Sequence, residues 1–177
     1  MSKAANNLRL LRRELGRESI LEFAKIYFPQ YTKEKFSEFH RDISKSLMEI
    51  STGGHTKRTQ NKRLAFAAPR GHAKSTIVTL FYVIWSICYD KERFIFILSA
   101  TSNQAQKLLS EIKAALQSNE RIKQDFPEVF ARKENVKTKW TQQEIITDND
   151  ICIAAYGWEQ DIRGFIVTGK QIGRAHV

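Results

Sequence analysis

Apolar positions divide the chain into segments with different periods. From Leu8 to Phe28, Leu8, Leu11, Leu15, Leu21, Phe23, Ala24 and Tyr27 return to one side at helical spacing, which predicts one helix ended by Pro29. Phe36, Phe39, Ile43 and Leu47 predict a second helix from about Lys33 through Ile50. The polar, turn-rich stretch from Ser51 to Lys62 reads as an exposed linker. Leu64 to Ala67 is a short apolar run, followed by PRGHAKST and the apolar TIVTLFYVIWSICY, an order that predicts strand, turn and helix. Arg93 to Ala100 is apolar nearly throughout, as in a strand of a parallel sheet covered on both faces. With the preceding strand and helix it predicts a right-handed crossover unit. Ser102 is expected to cap a helix from about Asn103 to Gln117, with Ala105, Leu108, Leu109, Ile112 and Leu116 turned inward. Val136 to Ile146 and Ile151 to Tyr156 predict two strands around the turn Asp148-Asn149-Asp150. The class is therefore α/β.

Composition narrows the picture. Hydrophobic residues make up 42% of 177, enough for one folded domain with a sizeable core. The longest nearly apolar stretch, Ile77 to Tyr89, is too short to span a bilayer and predicts a buried helix, with no membrane partner. The opening MSKAANNLRLLRREL has no secretory pattern. Cys88 and Cys152 lie in apolar runs and read as small buried hydrophobes. Lys and Arg number 29 against 19 acidic residues, a formal charge of +10, which favours polyanionic partners. Lys57, Arg58, Lys62, Arg63 and Arg70 cluster; they suit contact with nucleic acid or nucleotide, the alternative being a solvated loop.

The sharpest chemical signal is Ala67 through Thr76, AAPRGHAKST. Aligned on Lys74 and Ser75 it approximates the phosphate-binding pattern G-x-x-x-x-G-K-[ST] between a strand and a helix. Ala68 and Ala73 stand in the glycine slots, and Gly71 is the loop's own glycine. Along the loop Pro69–Thr76, successive backbone N–H groups after the proline would point at phosphate oxygens as the chain enters a helix, assisted by the helix dipole. Lys74 would neutralise terminal phosphates, and the Ser75 hydroxyl would ligate Mg2+. Alanine in a glycine slot costs little where the backbone is not left-handed. The alternative is a strand-to-helix turn that merely contains lysine and serine.

This loop, with arginine before the glycine and alanine in the glycine slots, resembles the deviant Walker A of phage terminase large subunits. The resemblance extends to LEFAKIYFPQYTKEKFSEFHRDI, SATSNQAQKLLSEIKAAL, IKQDFPEVF and GWEQDIRGF in family order, over about residues 20 to 165. It implies a P-loop NTPase three-layer sandwich with a parallel sheet, and a motor that hydrolyses ATP with Mg2+ to push double-stranded DNA into capsids. The implied partners are DNA, a portal protein, a small terminase subunit and further copies in a ring. The implied place is the host bacterial cytoplasm and, transiently, the procapsid portal. Carried over, Lys74 and Ser75 or Thr76 hold phosphate and Mg2+. Arg70 lies close to the γ-phosphate with a catalytic role beside Lys74, or else satisfies a surface carbonyl. Phe39 and His40 fall where the family places an adenine-contacting segment, often with glutamine. Arg163 and Gly164 match its I-R-G element, in a structural or a functional role. His72 reads as a solvent-facing loop residue or a catalytic one.

The family's Walker B strand, ending Asp-Asp or Asp-Glu, and its nuclease domain are expected beyond the I-R-G element, so the fold should be incomplete and this stretch should hardly hydrolyse ATP. The ending IGRAHV matches one reading frame of a common sequencing-adapter oligonucleotide. The expected organisation is a helical lead-in and linker over residues 1–60, a partial ATPase core over 61–170 and a non-native tail over 171–177. Two other classes fit less of the sequence: another P-loop DNA-dependent ATPase, such as a helicase or repair ATPase, and a non-catalytic basic DNA-binding module.

Overall fold

The computed structural model describes residues 3–51, 63–67, 69, 71–130, 139–160, 166–167 and 170–171. The protein is mixed α/β. Helices α1 (Lys3–Glu18), α2 (Ile20–Tyr27) and α3 (Glu38–Ser51) lead to a π-helical stretch, Thr76–Phe81, continuous with α4 (Tyr82–Cys88). Strand β1 (Phe94–Ser99), helices α5 (Ser102–Ser118) and α6 (Glu120–Asp125), and strands β2 (Lys139–Trp140), β3 (Glu144–Ile146) and β4 (Cys152–Gly157) follow. A separate small pair, β5 (Ile166–Val167) and β6 (Lys170–Gln171), is antiparallel.

The main sheet has the order β1-β4-β3-β2. β1 and β4 run parallel from Phe94 opposite Cys152 to Ser99 opposite Gly157. β3 and β4 pair antiparallel across the predicted turn at residues 148–150, and β2 pairs antiparallel with β3. Among the described residues one pair is parallel, so the sheet is mixed where a parallel one is expected: the link from Ile146 to Cys152 is too short for a crossover and closes a hairpin. The crossover is displaced as well. It joins β1 to β4 by way of α5, whereas residues 63–67 form no strand. Two of the four positions from Leu64 to Ala67 are alanines, Leu64 is exposed, and Phe66 is half-buried against the core. So little apolar area does not offset the entropy of ordering a strand.

α4 and the stretch before it form the centre of the core. Ile77, Leu80, Phe81, Val83, Ile84, Trp85, Ile87 and Cys88 are buried, as the apolar run predicts. Burial also pushes the Cys88 thiol well above its ordinary pKa, so it behaves as an inert hydrophobe. α5 buries Ala105, Leu109, Ile112 and Leu116. Its cap is Thr101, whose hydroxyl accepts from the Gln104 amide at 3.3 Å, one residue before the expected Ser102. The helix expected from Lys33 begins at Glu38, with Ile43 and Leu47 buried and Phe36 and Phe39 packed against the core.

The predicted helix from Leu8 to Phe28 is two helices. The Ser19 hydroxyl accepts from the amides of Leu21 and Glu22 at 3.2 and 3.4 Å, which caps α2 and breaks the run. Pro29 follows α2, as expected. The leucines of α1 share one side, as their spacing predicts, and that side faces solvent: Leu8, Leu11 and Leu15 are 53%, 55% and 49% exposed. The arginine face packs instead. Arg12 makes two bonds to the buried Asp125 carboxylate, at 2.7 and 2.5 Å. Arg9 and Arg13 donate to the Asp125 carbonyl at 3.1 and 3.0 Å, and Arg13 pairs with Glu128. Tyr27 donates to the same carboxylate at 2.9 Å; burial, and then that bond, push its phenol well above its ordinary pKa. Gly16 lets the helix sit close: a Cβ there would lie 2.7 Å from the Tyr89 hydroxyl, while Trp85 donates to the Gly16 carbonyl at 2.9 Å. Three arginines at i, i+3 and i+4 thus find acceptors on Asp125 and Glu128, and the leucine face is left to solvent.

Among the described residues no helix is long and apolar enough to cross a membrane.

Candidate functional site

The loop expected to bind phosphate joins the half-buried Phe66 to the central helix. Pro69 is exposed, Gly71 has φ +85°, and Ala73 has φ +48°. Two left-handed residues flanking His72 turn the backbone into the helix, where the Ile77 amide donates to the Ala73 carbonyl at 3.0 Å. At Gly71 nothing lies within 4 Å of where a Cβ would be, so the conformation and not the space favours glycine there.

Ala73 departs from expectation. Alanine in its slot was tolerable on the premise that the backbone is not left-handed, and it is. Left-handed backbone costs a residue with a Cβ about 1–2 kcal/mol, against about 0.5–1 kcal/mol of extra chain entropy for glycine. Strain is the larger of the two. Ala73→Gly should therefore raise unfolding free energy by about 0.5 kcal/mol, read as a higher urea midpoint at constant m-value; a lower midpoint would show that Ala73 is not strained.

Lys74 is half-buried and donates from Nζ to the Pro69 carbonyl at 2.9 Å, closing the loop across five residues. Ser75 has helical angles and is exposed, whereas Thr76 is half-buried. Of the two hydroxyls expected near Mg2+, that of Ser75 is the more open to solvent. The helix then widens: the Tyr82 amide bonds back five residues to the Ile77 carbonyl, a π-type turn of the kind frequent at functional sites. Behind it Phe81 stacks on Phe28 with centroids 5.4 Å apart, so the loop is mounted on a packed element.

α3 reaches the same place. His40 lies 3.2 Å through Nε2 from the His72 carbonyl, and the Ser37 amide donates to its Nδ1 at 3.2 Å. The rings of Phe36 and Phe39 stand 5.8 and 6.2 Å from the imidazole. The structure thus brings together Phe39, His40, Pro69, Gly71, His72, Ala73, Lys74, Ser75 and Thr76. Arg70, Ala68, Arg163, Gly164, Lys57, Arg58, Lys62 and the tail from residue 172 lie outside the described residues. Arg63 is exposed.

Sequence reading missed two features. One is the tie from His40 to the loop, signalled only by the polar pair Ser37 and His40 at the start of a helix. The other lies at the carboxyl ends of β1 and β4, where open α/β sheets commonly bind ligands. There Glu159 accepts from the Ser102 amide at 3.0 Å, and its carboxylate occupies the start of α5, a position that suits negative charge. Gly157 and Trp158 turn over the same end: the Trp158 amide donates to the Ser99 carbonyl at 2.9 Å and the Gly157 amide to Gln160 at 3.0 Å.

No protein-family model matches this chain, and no curated protein matches it.

Proposed function

We propose that this chain is the nucleotide-binding part of an ATP-driven motor that moves double-stranded DNA, of the phage terminase large subunit kind, with a P-loop NTPase sandwich as its parent fold. The observation that carries the reading is the loop from Pro69 to Thr76. Left-handed backbone at Gly71 and Ala73 runs straight into a helix, Lys74 is folded across the loop, and an open serine hydroxyl sits at the helix start. Amides at a helix start with an adjacent lysine favour a phosphate chain. In P-loop NTPases the loop's Ser or Thr hydroxyl helps to hold Mg2+ beside the phosphates, a role that suits Ser75. The parallel pair β1 and β4 is compatible with the sandwich.

In this reading Lys74 and the loop amides bind the phosphates of ATP, and Arg70 serves the γ-phosphate. The net charge of +10 supports attraction to duplex DNA. Hydrolysis and translocation belong to the parent protein, as do the portal, the small terminase subunit, the ring of copies and the site of action in the host cytoplasm.

The test is equilibrium binding of Mg·ATP and of duplex DNA by the purified chain. Saturable Mg·ATP binding is expected, together with DNA affinity that falls linearly in log–log form as salt rises. DNA binding without nucleotide binding would favour the basic DNA-binding module instead. Binding of neither ligand would remove both readings.

A further inference from the structure

His40 has both ring nitrogens engaged inside the protein, and the direction of each bond can be deduced. The Ser37 backbone amide can only donate, so the Nδ1 it meets at 3.2 Å is unprotonated. The remaining ring proton of the neutral imidazole is then on Nε2, which must donate to the His72 carbonyl at 3.2 Å. The ring is held in that plane by Phe36, edge-on at 5.8 Å and 87°, and by Phe39 at 6.2 Å. His40 therefore bridges the backbone at the start of α3 to a carbonyl lying between the two left-handed residues Gly71 and Ala73.

We infer that His40 is a positioning residue for the phosphate-binding loop: it fixes the His72 peptide and acts on a bound nucleotide through the phosphates, not through the base. The inference rests on the nucleotide-binding reading of the loop, yet the strut itself exists without a ligand. The peptide it holds is the one whose rotation would swing the Ala73 amide, a group that a phosphate oxygen would meet. A hydrogen bond from the same ring to a base would require at least one of the two bonds to break.

The test has two arms on the intact chain, using His40→Ala and His40→Gln. Glutamine keeps a side-chain N–H that reaches the Nε2 position. In nucleotide-free protein, amide hydrogen exchange of a peptide covering residues 71–76 should quicken severalfold in His40→Ala and return towards the original rate in His40→Gln. Unchanged exchange in His40→Ala would overturn the strut, whatever the protein binds. In the second arm, ATP is compared with inorganic tripolyphosphate, which has no base. His40→Ala should weaken both by the same factor, about threefold to tenfold for one lost hydrogen bond, with His40→Gln restoring both. Loss of ATP affinity with tripolyphosphate affinity unchanged would assign His40 to the base and overturn the inference. Failure of the unsubstituted chain to bind either ligand would defeat the nucleotide reading alone, and the exchange arm would still decide the strut.

Discussion

Replacing Asp125 by alanine should lower unfolding free energy by about 3 kcal/mol, a large effect for a single polar side chain. The carboxylate is buried and holds two elements together: Arg12 approaches it with two bonds, and Tyr27 with one. Truncation would leave the buried Tyr27 hydroxyl without this acceptor and a partly buried guanidinium without its counter-charge. Both penalties come from groups left behind, which is why the cost exceeds that of an exposed ion pair. The bond to Asp125, the largest influence on Arg12, raises its pKa, so the attraction favours the charged pair. Asp125→Asn should cost less than Asp125→Ala, because an amide oxygen still accepts from Tyr27. Urea unfolding reads the free energies. Hydrogen exchange shows where the loss falls, since α1 should exchange faster than α5. A cost of Asp125→Ala below about 1 kcal/mol would mean that Gly16 and the aromatic contacts hold α1, and that the arginines are incidental.

That network also explains where sequence reading failed. Periodicity located the amphipathic face of α1, but the usual rule that leucine goes inside gives that face the wrong direction. The rule weighs about 1.5–3 kcal/mol for each buried leucine and gives no credit to arginines whose acceptor lies far along the chain. Asp125 is more than 110 residues from Arg12, and nothing local announces it. Where burial had no such competitor, the reading was accurate. The central helix, α5, β1 and β4 lie where apolar runs predict, whereas the described part of the single strand expected from Val136 to Ile146 is two, β2 and β3, paired antiparallel. The strand before the loop failed for a related reason. Leu64 to Ala67 is apolar by residue type yet too small in area to fix its own conformation, and strand formation depends on a neighbour that sequence does not specify.

The loop was legible as chemistry and less so as geometry. Gly71, Lys74 and Ser75 mark it, because a glycine turn, a cation and a hydroxyl at the start of a helix fit the phosphate-binding pattern. The left-handed backbone at Ala73 did not show, since alanine suggests a relaxed turn. Its strain, and the tie from His40, belong to one feature: a short segment held away from its easiest conformation by its surroundings. Backbone strain of this kind persists only where neighbours over-determine it, and it gathers at ligand sites.

Lys74→Ala should weaken Mg·ATP binding by about 10- to 100-fold, the span of one charge-assisted hydrogen bond of 1.5–3 kcal/mol. The fold should be little affected, because Lys74 lies on the loop and its bond to the Pro69 carbonyl is a local one; a stability change within about 0.5 kcal/mol is expected. These two expectations separate a ligand effect from a folding effect. The cleanest readout combines them. ATP at about 100 times its Kd should stabilise the unsubstituted chain by about 2.7 kcal/mol, and at the same ATP concentration that increment should fall to about 1.4–0.4 kcal/mol in Lys74→Ala. The rival classes diverge on the same variant. If the chain were only a basic DNA-binding module, Lys74 would be one phosphate contact among many. Its loss would then reduce the salt-dependence slope of DNA binding by about 1 and change nothing that ATP does. An unaltered ATP increment in Lys74→Ala would remove the phosphate-binding loop as the nucleotide site. A reduced increment would place the terminal phosphates at the ammonium that now bonds the Pro69 carbonyl, and the lysine would have to exchange that carbonyl for phosphate oxygens on binding.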